Sequence, residues 1–181
     1  MTTIIIHKGD LYGDRKVMIE SLPLSFYNRA KIFTSSCGQF GFAMEDPGVD
    51  PDNPLPQEKV VRRLLERITI KPPRASTSVV DILGLKLSEL AADPVAYALT
   101  GDVAVITRTM SFATRHGKVR ELQGRDFGQG ADHWTLLGLI HAGKSVEDAY
   151  AWIGKHCPMT GGVCDVIRHE TLLPFVVQGV S

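Results

Sequence analysis

The sequence predicts a layered α+β domain in which helices pack on antiparallel sheets. Three observations predict it. Thr2 to His7 is rich in β-branched side chains and reads as a strand. Gln57 to Ile68 carries Val60, Val61, Leu64, Leu65 and Ile68 at the spacing of an amphipathic helix. Strand-like and helix-like segments come in blocks: strands, helices, then strands and helices again. The length of 181 residues suits one domain with a substantial core, so residues 1–181 are read as a single unit.

The elements follow in chain order. Lys8-Gly9 marks a tight turn, and Leu11 to Ile19 returns as a second strand. Ser35 to Met44 is a short Gly- and aromatic-containing strand candidate. Residues 45–56 form a Pro- and Asp-rich loop without the spacing of an EF-hand. Lys71-Pro72-Pro73 stops the first helix. A short helix is expected within Leu85–Ala92. Ala96 to Arg108 and Met110 to Glu121 read as strands, the latter turning near His116-Gly117. Asp126 to Gly130 is a Gly-rich turn, followed by a helix over Ala131–Ala142 that Gly143 closes. In that helix Trp134, Leu136, Leu137 and Ile140 read as core. Ser145 opens a second helix that ends by Pro158. Val163 to Arg168 is the final strand.

Composition removes several functions. Twenty basic and twenty acidic residues give no electrostatic reason to expect nucleic acid or an anionic membrane as partner. The chain has no apolar run long enough to span a bilayer and no signal-peptide pattern, which predicts a cytoplasmic protein. Cys37, Cys157 and Cys164 contain no CxxC pair, and the histidines show no metal spacing, so no metal or organic cofactor is expected. Cys37 and Cys164 read as buried small hydrophobes.

Chemistry concentrates at the start of the chain. A threonine that becomes the first residue can use its own α-amine as the base that takes its hydroxyl proton. That amine has a reference pKa near 8, so much of it is neutral at working pH. Met1 precedes the small residue Thr2, and trimming of Met1 would expose such an amine. If His7-Lys8-Gly9 is a three-residue hairpin loop, Thr2 lies opposite Asp14, and opposed residues share one face.

Four motifs in order then resemble one family. Thr2-Thr3-Ile4 with Gly13-Asp14, Lys31-Ile32-Phe33 and Gly38 resembles the N-terminal half of proteasome β subunits and of the bacterial peptidase HslV. Gly128-Gln129-Gly130-Ala131 and Ala142-Gly143-Lys144-Ser145-Val146-Glu147-Asp148-Ala149 are similar to the family's GSGA and A-G-x-S-x-E-E-A segments. Thr160-Gly161-Gly162-Val163-Cys164-Asp165-Val166-Ile167 is similar to its T/S-G-G-x-x-D-V-V segment. The resemblance covers residues 2–44 and 100–170. It implies the four-layer αββα sandwich of N-terminal-nucleophile hydrolases and a threonine peptidase acting on peptides or proteins.

The resemblance also implies roles. Thr2 would be the nucleophile and Asp14 would orient it. Lys31 would lower the pKa values of the Thr2 hydroxyl and amine, favouring the alkoxide and the neutral amine. The Gly38 N–H would donate to the oxyanion. Gln129 and Thr160 would stand near the Thr2 amine. Self-association, as a ring, is implied, with any ATPase partner unidentified. Two positions depart from the family: Gln129 stands where a serine is usual, and Cys157 where proteasome subunits carry an aspartate. With a retained Met1, these departures support the competing expectation, a catalytically silent relative that serves as an assembly or binding module.

Overall fold

The computed structural model describes residues 3–19, 22–45, 55–74, 77–92, 101–161 and 163–177. The described residues form two five-stranded antiparallel sheets, one separate hairpin and five helices, a mixed α+β architecture. In the first sheet the strand order is β10 (Phe127–Gln129), β1 (Ile4–His7), β2 (Asp10–Asp14), β11 (Cys164–Ile167) and β12 (Pro174–Val177). In the second it is β5 (Ile32–Thr34), β6 (Gly41–Glu45), β7 (Asp102–Ile106), β8 (Ser111–Arg115) and β9 (Lys118–Glu121). Strands β3 (Lys16–Ile19) and β4 (Leu22–Asn28) pair with each other.

Strand alternation divides the core into three clusters. Ile4 and Ile6 of β1 join Ile32, Ala43, Ala104, Ile106 and Ile167 in a cluster drawn from both sheets. Ile5, between them in sequence, belongs instead to a cluster with α4 (His133–His141) and α5 (Val146–His156), where Leu136, Ala149, Tyr150 and Ile153 are buried. Val60, Val61, Leu64 and Ile68 of α1 (Leu55–Ile70) pack with Phe42, Val103, Val105 and Phe112 of the second sheet. Glycine sets the approach of the two sheets: a Cβ on Gly13 would lie 2.7 Å from Ile32 Cγ2. Among the described residues no helix is long and apolar enough to cross a membrane.

Several expectations are corrected. The return strand breaks at Arg15, and its second half leaves the first sheet to pair with β4. The segment Phe127–Gln129 is a strand rather than a turn, because it pairs with Ile4–Ile6. Three elements went unforeseen: β4, β12 and the five-residue α2 (Val79–Leu83), which Ser78 and Asp81 cap reciprocally. The helix expected within 85–92 is α3 (Leu87–Ala92). Leu136, Leu137 and Ile140 are core, but Trp134 is 73% exposed, and Cys37 is exposed while Cys164 is buried. The loop 46–54 lies outside the described residues.

Candidate active site

The site is built by a hairpin whose loop is shorter than expected. Lys8 and Gly9 have φ of 50° and 87°, and both residues of a type I′ turn require positive φ. The loop therefore has two residues, and His7 pairs with Asp10. Continued along the ladder, this register sets Thr3, not Thr2, against Asp14: the Asp14 N–H donates to the Thr3 carbonyl at 3.1 Å. Thr2 is outside the described residues, but it is bonded to the Thr3 nitrogen.

Asp14 is fully buried and saturated with donors. Its Oδ1 accepts the Thr3 N–H at 2.8 Å, and its Oδ2 accepts the N–H groups of Lys16 at 3.0 Å and Gly161 at 3.2 Å. Lys31, at the start of the second sheet, donates Nζ to Oδ1 at 2.8 Å and to Oδ2 at 3.0 Å. A buried carboxylate is tolerated only when paired and hydrogen-bonded. Here the pairing draws in β1, β2, β5 and the segment before β11. Gly161 is tight against this group, since a Cβ on it would meet Lys16 Cβ at 3.1 Å.

A second polar chain runs beside it. Thr3 Oγ1 lies 2.7 Å from Thr160 Oγ1, and the Thr160 hydroxyl donates to Asp132 Oδ2 at 2.5 Å. Asp132 holds the N-cap position of α4 yet makes no side-chain cap bond, so its carboxylate serves Thr160 instead. The Cys157 thiol is held above its ordinary range by partial burial and by the Asp132 charge. Asp132 thus places a carboxylate against the Thr160 hydroxyl and beside Cys157. No pattern in the sequence signals that role for Asp132; the correct hairpin loop would have identified Thr3.

The remaining expected residues divide. Gln129 pairs with Ile4 in the ladder and is buried. Its Nε2 donates to the Asp102 carbonyl at 3.3 Å, while its Oε1 has no hydrogen-bond partner among the described residues. Gly38 stands apart in the exposed β5–β6 turn with φ of 66°, and its N–H already donates to the Ser35 carbonyl at 2.8 Å. That N–H is not free to receive an oxyanion in this arrangement. Asp14, Lys31 and Thr160 converge on Thr3 or its partners, and Gly38 does not. No protein-family model matches this chain, and no curated protein matches it.

Proposed function

We propose that this chain is a threonine-type amide hydrolase in which Thr2, freed of Met1, attacks peptide bonds. The observation that carries the reading is the buried Asp14, which holds both the N–H bonded to Thr2 and the Lys31 ammonium. A structural carboxylate could staple two strands without a lysine from the second sheet. Lys31 brings a positive charge to the same carboxylate that fixes the residue after the nucleophile, where that charge favours the ionised hydroxyl.

In the proposed cycle the Thr2 amine takes the hydroxyl proton as Oγ1 bonds to the substrate carbonyl carbon. Collapse of the tetrahedral intermediate breaks the C–N bond, and the proton passes from the Thr2 ammonium to the leaving amine. Water, activated by the same amine, then cleaves the ester. No metal or cofactor enters. The orphaned Gln129 Oε1 is a spare buried acceptor suited to an ammonium. The three core clusters, two between a sheet and helices and one between sheets, support the αββα sandwich of N-terminal-nucleophile hydrolases as the fold. Ring-like self-association belongs to the same reading.

One observation favours the silent alternative, a binding or assembly module: the Gly38 N–H is already engaged. The two readings separate on one experiment. Thr2→Ala should abolish hydrolysis of fluorogenic peptides while the circular dichroism spectrum stays unchanged. Equal rates in wild type and variant would remove Thr2 from the mechanism.

A further inference from the structure

The chain's balanced charge conceals a local excess. Between residues 108 and 125 stand Arg108, Arg115, Lys118, Arg120 and Arg125, with Glu121 as the acidic residue among them. Four of these cations, Arg115, Lys118, Arg120 and Arg125, rim one cavity of about 330 Å³. The cavity opens where the sheets share an open edge, since β9 ends the second sheet and β10 ends the first. Its floor is aliphatic and aromatic: Ala113, Val119, Leu122, Phe127 and Leu137. Trp134, 73% exposed, forms one wall.

Three features set this cavity apart from an ordinary solvated edge. Arg115 and Lys118 are direct cross-strand partners of like charge, a pairing that disfavours a sheet, although the Lys118 charge is also felt by Asp81. Local rules are broken at a cost mainly where function requires it. Some arginines outside the cavity are neutralised, as Arg15 is by Asp165 and Arg168 by Asp10. The exposed side chains of Arg115, Arg120 and Arg125 have no salt-bridge or hydrogen-bond partner among the described residues. The carboxylate on the cavity wall, Asp126, does not neutralise them, because its Oδ2 is shared by His7 at 2.9 Å and His141 at 2.7 Å.

We propose that this cavity binds an acidic peptide segment that carries an apolar or aromatic side chain. The apolar side chain fills the floor beside Trp134, and flanking carboxylates pair with the arginine rim. One carboxylate satisfies one guanidinium in a fork. Cations borne on β8, β9 and the following loop therefore call for several carboxylates along one chain rather than a single acid group. Single-stranded nucleic acid fits less well: the floor offers no donors or acceptors to base edges, and Trp134 stands alone rather than in a row of stacking rings. The inference is independent of the hydrolase reading.

The test uses the full chain carrying Trp152→Phe, so that Trp134 is the sole indole. The probe is the peptide acetyl-Glu-Glu-Leu-Glu-Phe-Glu-amide, followed by fluorescence. The expected result is a saturable change that weakens with added salt. Affinity should fall about tenfold or more with Arg120→Glu/Arg125→Glu, because reversing rim charges turns attraction into repulsion. The milder Arg120→Gln/Arg125→Gln pair and circular dichroism guard against misfolding. The peptide with glutamine in place of every glutamate should bind at least as poorly as the probe does to the charge-reversed variant. No saturable binding, binding indifferent to both double variants, or tighter binding of oligothymidylate than of the peptide would overturn the proposal.

Discussion

Strand β2 carries two carboxylates on one face, Asp10 at its start and Asp14 at its end, and they are used differently. Asp10 gathers side chains from one neighbouring segment. Arg168 donates to its Oδ2 at 2.7 Å, and His169 meets its Oδ1 through both its N–H at 3.0 Å and its ring Nδ1 at 2.7 Å. Arg168 is 44% exposed along its side chain, so water screens that pair. Asp14 is sealed from water, and its donors come from both sheets and from the residue bonded to Thr2. The first arrangement staples a hairpin to its neighbour. The second fixes the charge and geometry around one chain position. Residue type and strand position alone did not separate them; the donors did.

The largest effect should come from the sealed member. Asp14→Ala leaves the Lys31 ammonium, 12% exposed along its side chain, without its carboxylate. Removing one partner of a buried ion pair costs about 3–5 kcal/mol. Chemical denaturation should show that loss, and peptide hydrolysis should disappear with it. A stability loss near zero would mean that Lys31 finds water readily, and the contrast with Asp10 would collapse.

Asp10→Ala should cost about 1–2 kcal/mol, the scale of a partly screened charged hydrogen bond, and should leave turnover unchanged. Asp10 also sharpens the comparison through pH. Burial pushes the Asp10 carboxyl upward, but the bonds from Arg168 and His169 outweigh it and hold the group below its ordinary value of 3.8. Asp126 is likewise lowered from 3.8, since the bonds from His141 and His7 outweigh its burial. A depressed folded-state value contributes stability above the unfolded value that is lost as pH falls through the folded one. Denaturation midpoints measured downward from pH 5 should therefore fall with a steep slope in wild type and a shallower one in Asp10→Ala. Equal slopes would assign the acid sensitivity elsewhere.

Much of the fold was legible because period and punctuation agree. The spacing Val60, Val61, Leu64, Ile68 gave α1, and Ser145 marked the start of α5, where its hydroxyl accepts the Asp148 N–H at 3.0 Å. The first hairpin was legible in place but not in register. Lys8 takes a positive φ that nothing in its residue type announces, and one residue of loop length moved the partner of Asp14 from Thr2 to Thr3. Strand β10 was hidden because Gly128 reads as a turn. Its glycine instead admits His133, whose Cβ would lie 2.9 Å from a Cβ on residue 128. Asp14 and Lys31 were visible as candidates through the resemblance. Asp132 was not, since its contact with Thr160 spans separate elements and has no local signature.

In the proposed function Thr2, as a free N-terminal residue, is the nucleophile set up by Asp14 and Lys31. Intact-mass spectrometry before and after treatment with a peptide vinyl sulfone tests it most directly. The starting mass should lack Met1, one inhibitor should add per chain at Thr2, and that adduct should be lost in Thr2→Ala and Lys31→Ala. A chain that retains Met1 and takes no adduct, or one that is modified only at the exposed Cys37, would contradict it.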